Sequence, residues 1–170
     1  MKETPQEYIR RILSYLGGQH PLDVQGQTAD QLERLIERAS ASRLRTRPAP
    51  GKWSIAEIVA HLADSEIVIS WRIRAILTAP GTAIQAFDQD AWVIAGHYDQ
   101  RDPHKSVEVF RVLREMNLAL YKTLTPDQWK QHGMHSERGV ETVEHIVRLY
   151  AGHDLNHIRQ IEQILASRGR

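Results

Sequence analysis

The chain has 170 residues, 41% of them hydrophobic and 25% charged, which is the composition of one globular domain with a sizeable core. Its 22 basic and 21 acidic side chains leave a formal net charge of +1, so we expect no nucleic-acid-binding and no membrane-binding surface. The absence of cysteine excludes disulfides, zinc sites built from thiolates and a cysteine nucleophile.

The first residues, MKETPQEYIRR, carry charges but no apolar segment of the kind that a signal peptide contains. No uninterrupted apolar run is long enough to span a bilayer. We therefore expect a cytoplasmic protein.

Capping residues predict where the helices begin. Residues 4–7, Thr-Pro-Gln-Glu, offer a capping hydroxyl, a proline at the first helical position and a glutamate at the third. Residues 54–57, Ser-Ile-Ala-Glu, form a capping box in the same way. In chain order, the predicted helices cover approximately residues 4–16, 28–44, 54–78, 105–124 and 142–166, with one extra turn from Thr125.

Four long amphipathic helices and a short helix before them predict an all-α four-helix bundle. The chain shows no sustained alternation and no Asn-Gly or Asp-Gly turn, so no strand is predicted. We expect a single domain over residues 1–170, with an N-terminal extension at 1–27 and the bundle at about 28–167. The connectors at about 79–104 and 125–141 are long, and long connectors in a compact bundle often carry function.

The segment HDLNH, residues 153–157, places two histidines in the apolar stripe of the last helix. Buried imidazoles on adjacent turns are hard to satisfy by hydrogen bonds, whereas a divalent metal would take one lone pair from each ring. A pair of histidines at this spacing is a weak motif by itself, and hydrogen-bonded core histidines are the alternative. The stripe follows helical steps of three and four residues and comprises Ile146, Tyr150, His153, His157, Ile161 and Ile164.

A third ligand is offered by His61, at the edge of the core stripe of the helix predicted at 54–78, although a hydrogen-bonded histidine is again the alternative. In an up-down-up-down bundle this helix and the last one start at the same end, and the three histidines reach similar heights. Three neutral imidazoles leave a metal ion an open position for water, as in catalytic zinc sites, where that water has a pKa near ~7. Zinc or nickel is the expected ion.

Two carboxylates lie near His61 in the sequence. Asp64, three residues later and on the same side, is the candidate catalytic residue, either as a base or by orienting a ligand, and a partly exposed carboxylate is the alternative. Glu57 is assigned to the capping box.

Other polar residues near the proposed site receive weaker roles. Asp154 is expected to face solvent, because it turns away from the apolar stripe. Asn117 either reaches the site or fixes packing. His135 and Glu137 are candidates for lining the mouth of the site, and Trp53 is expected to be a packing anchor.

The order of several short motifs resembles that of the DinB-like (YfiT-like) superfamily. They are WSIAEIVAHL at 53–62, FDQDAW at 87–92, REMNLAL at 114–120, HDLNH at 153–157 and Gln160. The resemblance runs from about residue 29 to the end. It implies a four-helix bundle in which His61, His153 and His157 hold a divalent metal. The family includes proteins described as metal-dependent hydrolases, S-transferases that use low-molecular-weight thiols, and a mycothiol-dependent isomerase, and its members are often dimeric.

These observations lead to three hypotheses. The first is a metal-dependent enzyme that acts on a small molecule, either a hydrolase or an S-transferase for a low-molecular-weight thiol. The second is a stress-response protein that binds a metal or a ligand without turnover, and the third is a structural bundle with hydrogen-bonded histidines. A small-molecule substrate and a homodimer are the expected partners, with no nucleic acid and no membrane.

Overall fold

The computed structural model describes residues 3–167 and confirms the predicted all-α four-helix bundle, to which it adds a small sheet. The four long helices α2, α4, α6 and α8 form the bundle. The helices are α1 (Pro5–Ser14), α2 (Pro21–Glu37), α3 (Ala41–Arg45), α4 (Ile55–Thr78), α5 (Gln89–Ala95), α6 (Pro103–Tyr121), α7 (Pro126–Lys130) and α8 (Val143–Ala166). The strands are β1 (Ala83–Ile84), β2 (His132–His135) and β3 (Gly139–Thr142).

Most predicted helix starts are confirmed by their caps. The hydroxyls of Thr4, Ser54, Thr125 and Thr142 each accept a hydrogen bond from a backbone N–H of the first turn. Within residues 3–167, no helix combines the length and the apolar character needed to cross a membrane.

The second predicted helix differs at both ends. It begins at Pro21 rather than Thr28, because a proline at the first helical position starts a helix without any capping side chain. Thr28 lies inside α2, where its hydroxyl donates to the Val24 carbonyl at 2.9 Å. The helix ends at Glu37, and Ser40 caps the separate helix α3.

The bundle helices run up, down, down and up, in the order α2, α4, α6 and α8. The predicted up-down-up-down order is therefore wrong. The first half of α4 packs against the end of α8, where Ile58 shares a cluster with Ile158. The second half of α4 packs against the start of α8, where Ile73 shares a cluster with Val143. Consequently α4 and α8 are antiparallel and do not start at the same end.

The two middle helices are parallel. Arg114 of α6 contacts Glu66 of α4, and Asn117 contacts Arg74 further along both helices. A parallel pair requires the chain to return along the whole bundle, which explains the long connector over residues 79–102. The first and last bundle helices, α2 and α8, are also parallel.

A three-stranded sheet joins the two long connectors. Strand β1 pairs with β2 in parallel, with Ala83 opposite Met134, and β2 pairs with β3 antiparallel, with His132 opposite Thr142. The strands have two to four residues, too few for alternation to show in the sequence. The turn between β2 and β3 uses Gly139 at a φ of +77°.

A buried polar network crosses the centre of the bundle. Arg114 of α6 pairs with Glu66 of α4 at 2.7 Å and with Asp154 of α8 at 2.6 Å. The prediction that Asp154 faces solvent is therefore wrong, since the flank of α8 opposite the histidines packs against α2 and α6. Asn117 donates to Glu66 at 2.9 Å, so its role in packing is the one observed.

Candidate metal centre

Three histidine rings from α4 and α8 meet inside the bundle. The Nε2 atom of His153 lies 3.1 Å from Nε2 of His61 and 3.1 Å from Nε2 of His157. Each of the three residues offers one ligand nitrogen, and these nitrogens all lie within 4.8 Å of one another. Because α4 and α8 are antiparallel, His61 near the start of α4 is level with residues beyond the middle of α8.

The spacing of these nitrogens fits a divalent metal. Zinc binds imidazole nitrogen at about 2.0–2.1 Å in tetrahedral geometry, which places neighbouring ligand nitrogens about 3.3 Å apart. Ring nitrogens 3.1 Å apart are close to this value. Nitrogen lone pairs held face to face repel one another unless a proton or a cation lies between them. Imidazole nitrogen is a donor that suits zinc, copper, iron and nickel.

Burial keeps all three rings neutral. It is the largest cause that lowers the pKa of His157 to about 4, although the hydrogen bond with Gln160 opposes it. Burial also lowers the pKa values of His61 and His153 well below the usual range, and the neighbouring histidines add to this effect. Neutral rings have free lone pairs at pH 7, as metal binding requires.

A glutamine orients one of the rings. The side-chain oxygen of Gln160 accepts a hydrogen bond from Nδ1 of His157 at 2.9 Å, which assigns the proton to Nδ1 and leaves the Nε2 lone pair directed into the cluster. Gln160 was noted among the family motifs, without a role of its own. Its position three residues after His157, on the same side of the helix, was the available signal.

The ring of Trp53 covers the cluster on another side. It stacks on His157 with centroids 6.3 Å apart and planes inclined by 11°, and its centroid is 4.9 Å from that of His61. It also packs against the apolar core around α4, so the expected packing role is confirmed. The packing on the histidines had no signal in the sequence, because Trp53 precedes α4 and its orientation depends on the connector.

The two carboxylates near His61 have other partners. Asp64 is buried and accepts hydrogen bonds from the Tyr98 hydroxyl at 2.6 Å and from Arg101 at 2.7 Å. Its predicted catalytic or orienting role stays a prediction. Glu57 accepts from the backbone N–H of Ser54 at 2.7 Å in the capping box, as predicted.

Two cavities flank the histidines. One, of about 390 Å³, is lined by His61 and His153, and the other, of about 670 Å³, is lined by His157. The first also includes His135 and Glu137, which were predicted to line the mouth of the site. These volumes suit small molecules.

The N-terminal helix α1 borders both cavities and is packed closely on α8. Tyr8 of α1 lines each cavity. Gly152 of α8 allows this close approach, since a Cβ there would lie 2.3 Å from the carbonyl oxygen of Ile12. The site is thus bordered by α1, which precedes α2 in the chain, as well as by α4 and α8, which follow it.

Comparison with known sequences gives one family. A family model described as the DinB superfamily matches residues 26–161. A Bacillus subtilis protein named "Putative metal-dependent hydrolase YfiT" is 30% identical over 135 residues, which cover 79% of this chain and 76% of that protein. An Oceanobacillus iheyensis protein with the same description is 30% identical over 166 residues, covering 97% of this chain and 87% of its own length.

Comparison with solved structures gives the same fold. The YfiT structure from Bacillus subtilis, described as "a probable metal-dependent hydrolase with an unusual four-helix bundle topology", is similar with a TM-score of 0.80 and 29% identity. The match covers 85% of this chain and 83% of that one. A mycothiol-dependent maleylpyruvate isomerase is similar with a TM-score of 0.66 over 83% of this chain and 59% of its own. At 10% identity, this second likeness concerns the fold alone.

Proposed function

This chain belongs to the DinB superfamily, and from that membership together with its converging histidines we propose that it is a divalent-metal-dependent enzyme acting on a small molecule. The observation that carries the proposal is the meeting of three buried Nε2 atoms beside two cavities. A structural metal site has four protein ligands, whereas three leave a position for water or a substrate.

In this proposal His61, His153 and His157 are the ligands. The ion, zinc or nickel, would supply a Lewis acid that polarises a carbonyl or activates a water or thiol. The protein contributes a neutral donor set, because burial keeps the rings unprotonated. Gln160 fixes the orientation of one ring, and Trp53 excludes water from one side.

The two cavities favour a reaction with two substrates. Hydrolysis needs one cavity for an organic substrate, whereas thiol transfer needs room for both the thiol and its acceptor. Cavities on the His61 and His157 sides of the cluster support an S-transferase for a low-molecular-weight thiol. The printed descriptions of the relatives support a hydrolase instead. Asp64 stays the candidate catalytic residue predicted from the sequence; its two oxygens accept from Tyr98 and Arg101.

A non-catalytic stress-response protein that binds a metal or a ligand is the alternative. This alternative has the same metal site as the proposed enzyme but catalyses no reaction. A cytoplasmic location and a homodimer belong to the proposal as well.

Metal content is the first test. We expect about one zinc or nickel ion per chain in untagged protein, and loss of that ion in His157→Ala because two imidazoles hold it too weakly. His104→Ala, which removes an exposed histidine from the start of α6, serves as the control and should keep the ion. Elemental analysis after reconstitution gives the result, and wild-type protein without metal would contradict the proposal.

Activity assays on the loaded protein then separate the reactions. Turnover that requires an added thiol and disappears in His157→Ala would identify a transferase. Ester or amide cleavage without a thiol, lost in the same variant, would identify a hydrolase. A loaded protein inactive in both assays across a panel of small substrates would favour the non-catalytic alternative.

A further inference from the structure

The cavity beside His61 and His153 contains a buried cation without a counter-ion. Arg72 of α4 lines this cavity and is 3% exposed. Its Nη2 donates to the carbonyl of Gln85 at 2.7 Å, and its guanidinium carbon lies 5.8 Å from the centre of the Phe87 ring. Among residues 3–167, no carboxylate forms a salt bridge with it.

An unpaired buried guanidinium is unusual because arginine stays charged in proteins and a buried charge is costly. Other arginines of this molecule follow the rule. Buried Arg114 pairs with two carboxylates, and Arg138 in the same cavity pairs with Glu141 at 2.7 Å. Of the five N–H donors of Arg72, one has a partner among the described residues, and the others are available to a molecule in the cavity.

A second donor lies in the same cavity wall. His135 on β2 is 3% exposed, and its Nδ1 accepts from the backbone N–H of Glu137 at 3.2 Å. The hydrogen of the neutral ring is therefore on Nε2, which is buried without a partner among the described residues. Burial is the main cause that lowers the pKa of His135, and the charges of Arg138 and Arg72 contribute, so the ring is neutral.

The acidic side chains of this cavity are already engaged or exposed. Asp88 accepts backbone hydrogen bonds at the start of α5, and Glu3 pairs with Arg11 at 2.8 Å. Glu137 is exposed. The interior end of the cavity therefore keeps an uncompensated positive charge at Arg72.

We propose that Arg72, with His135 beside it, binds a carboxylate carried by the substrate, whose reactive group lies at the histidine cluster. This inference rests on the proposed function and adds the substrate class, a small organic acid or a thiol that carries a carboxylate. A guanidinium binds a carboxylate through two parallel hydrogen bonds. A phosphate dianion would need a further cation, and Arg138 is already neutralised by Glu141.

The geometry of α4 suits this arrangement. Arg72 lies eleven residues after His61, three helical turns away on the same face, or about 16 Å along the axis. Both side chains line the same cavity, and the tilt of helical side chains toward the N-terminus directs Arg72 toward the His61 end of α4.

The test measures anion binding rather than catalysis. Succinate and inorganic phosphate are titrated into the protein as isolated and after chelation, with binding followed by calorimetry or ligand-observed NMR. We expect succinate to bind in both states, and Arg72→Gln to weaken it by about ten- to a hundredfold, as expected for loss of a charge-assisted hydrogen bond. Arg111→Gln, which removes the same charge from the surface of α6, should leave binding unchanged.

His135→Gln should weaken succinate binding less than Arg72→Gln does. If Arg72→Gln does not fold by circular dichroism, Arg72→Lys and His135→Gln decide, and weakening in both supports the inference. Three results would overturn it: no succinate binding, succinate binding unchanged in the folded variants, or tighter binding of phosphate. Metal content tests the proposed function separately from this subsite. Succinate binding without any metal uptake refutes the proposed function alone. Metal uptake without succinate binding refutes only this subsite.

Discussion

The burial of the His153 ring bears on the proposed metal site. The Nδ1 atom of His153 is buried without a hydrogen-bond partner among the described residues. An unsatisfied buried donor costs about 1–3 kcal/mol. In the proposed metal-bound state, coordination at Nε2 would offset this cost. Without a metal, the Nε2 atoms lie 3.1 Å apart, at hydrogen-bond distance.

Gln160 gives a test of ring orientation. We expect Gln160→Ala to weaken zinc binding by about ten- to a hundredfold, because the His157 ring loses the acceptor that fixes its tautomer. Competition with a chromophoric chelator measures the affinity. Gln163→Ala, an exposed residue on the same helix, is the matched control. Equal zinc affinity in the two variants would contradict the assigned role.

The lowered pKa of His157 predicts acid sensitivity of the metal-free protein. The unfolded chain takes up a proton near pH 6.5, whereas the folded ring does so only near a pKa of about 4. Between these values the unfolded state binds more protons, so stability falls as pH decreases and levels off below pH 4. The loss attributable to this ring is up to about 3 kcal/mol. Urea unfolding at several pH values should show it in wild-type protein and less of it in His157→Gln; identical pH profiles would refute it.

The four helices are joined by polar contacts as well as apolar ones. Arg114 of α6 links Glu66 of α4 to Asp154 of α8, and the Thr28 hydroxyl of α2 lies 3.1 Å from a carboxylate oxygen of Asp154. All these side chains are buried, so each charge depends on its partner. The network fixes the relative positions of α4 and α8, the two helices that carry the histidines.

Arg114→Ala should therefore be strongly destabilising. It leaves two carboxylates buried without a cation, which costs about 3–5 kcal/mol. Arg111→Ala, one turn earlier on α6, breaks exposed ion pairs with Asp30 and Glu33 and should cost less than about 1 kcal/mol. Chemical denaturation of both variants measures the difference. Similar losses in the two would show that the network contributes no more than a surface pair.

Metal binding should stabilise the protein as a whole, because the ligands come from two helices that separate on unfolding. At an ion concentration a hundredfold above the dissociation constant, the folded state gains about 2.7 kcal/mol. For a chain of this size the Tm then rises by about 5–10 °C. Chelation should remove this increase in wild-type protein and change little in His157→Ala. A wild-type Tm insensitive to chelator would contradict the predicted linkage.

Features that depend on a few neighbouring residues were predicted correctly from the chain alone. A capping box involves residues three apart, so the starts of α1 and α4 follow from Thr4 and Ser54. The helical spacing of residues 146–164 placed His153 and His157 inward. His61 was added from its position at the edge of the core stripe predicted at 54–78, and the family motifs implied the same residue. The starting residue of α2 was missed although it is local, because Pro21 begins that helix without a capping hydroxyl.

Features that depend on contacts between distant residues required the folded molecule. Asp154 is buried because Arg114, forty residues away in the chain, supplies its counter-charge. The antiparallel arrangement of α4 and α8 depends on how the connector crosses the bundle, which no local pattern records. The unpaired charge of Arg72 likewise emerges only when α4, β2 and the chain around Phe87 enclose one cavity. Local hydrogen bonding and periodicity specify helices, whereas long-range packing decides which polar groups find partners and which remain available to a ligand.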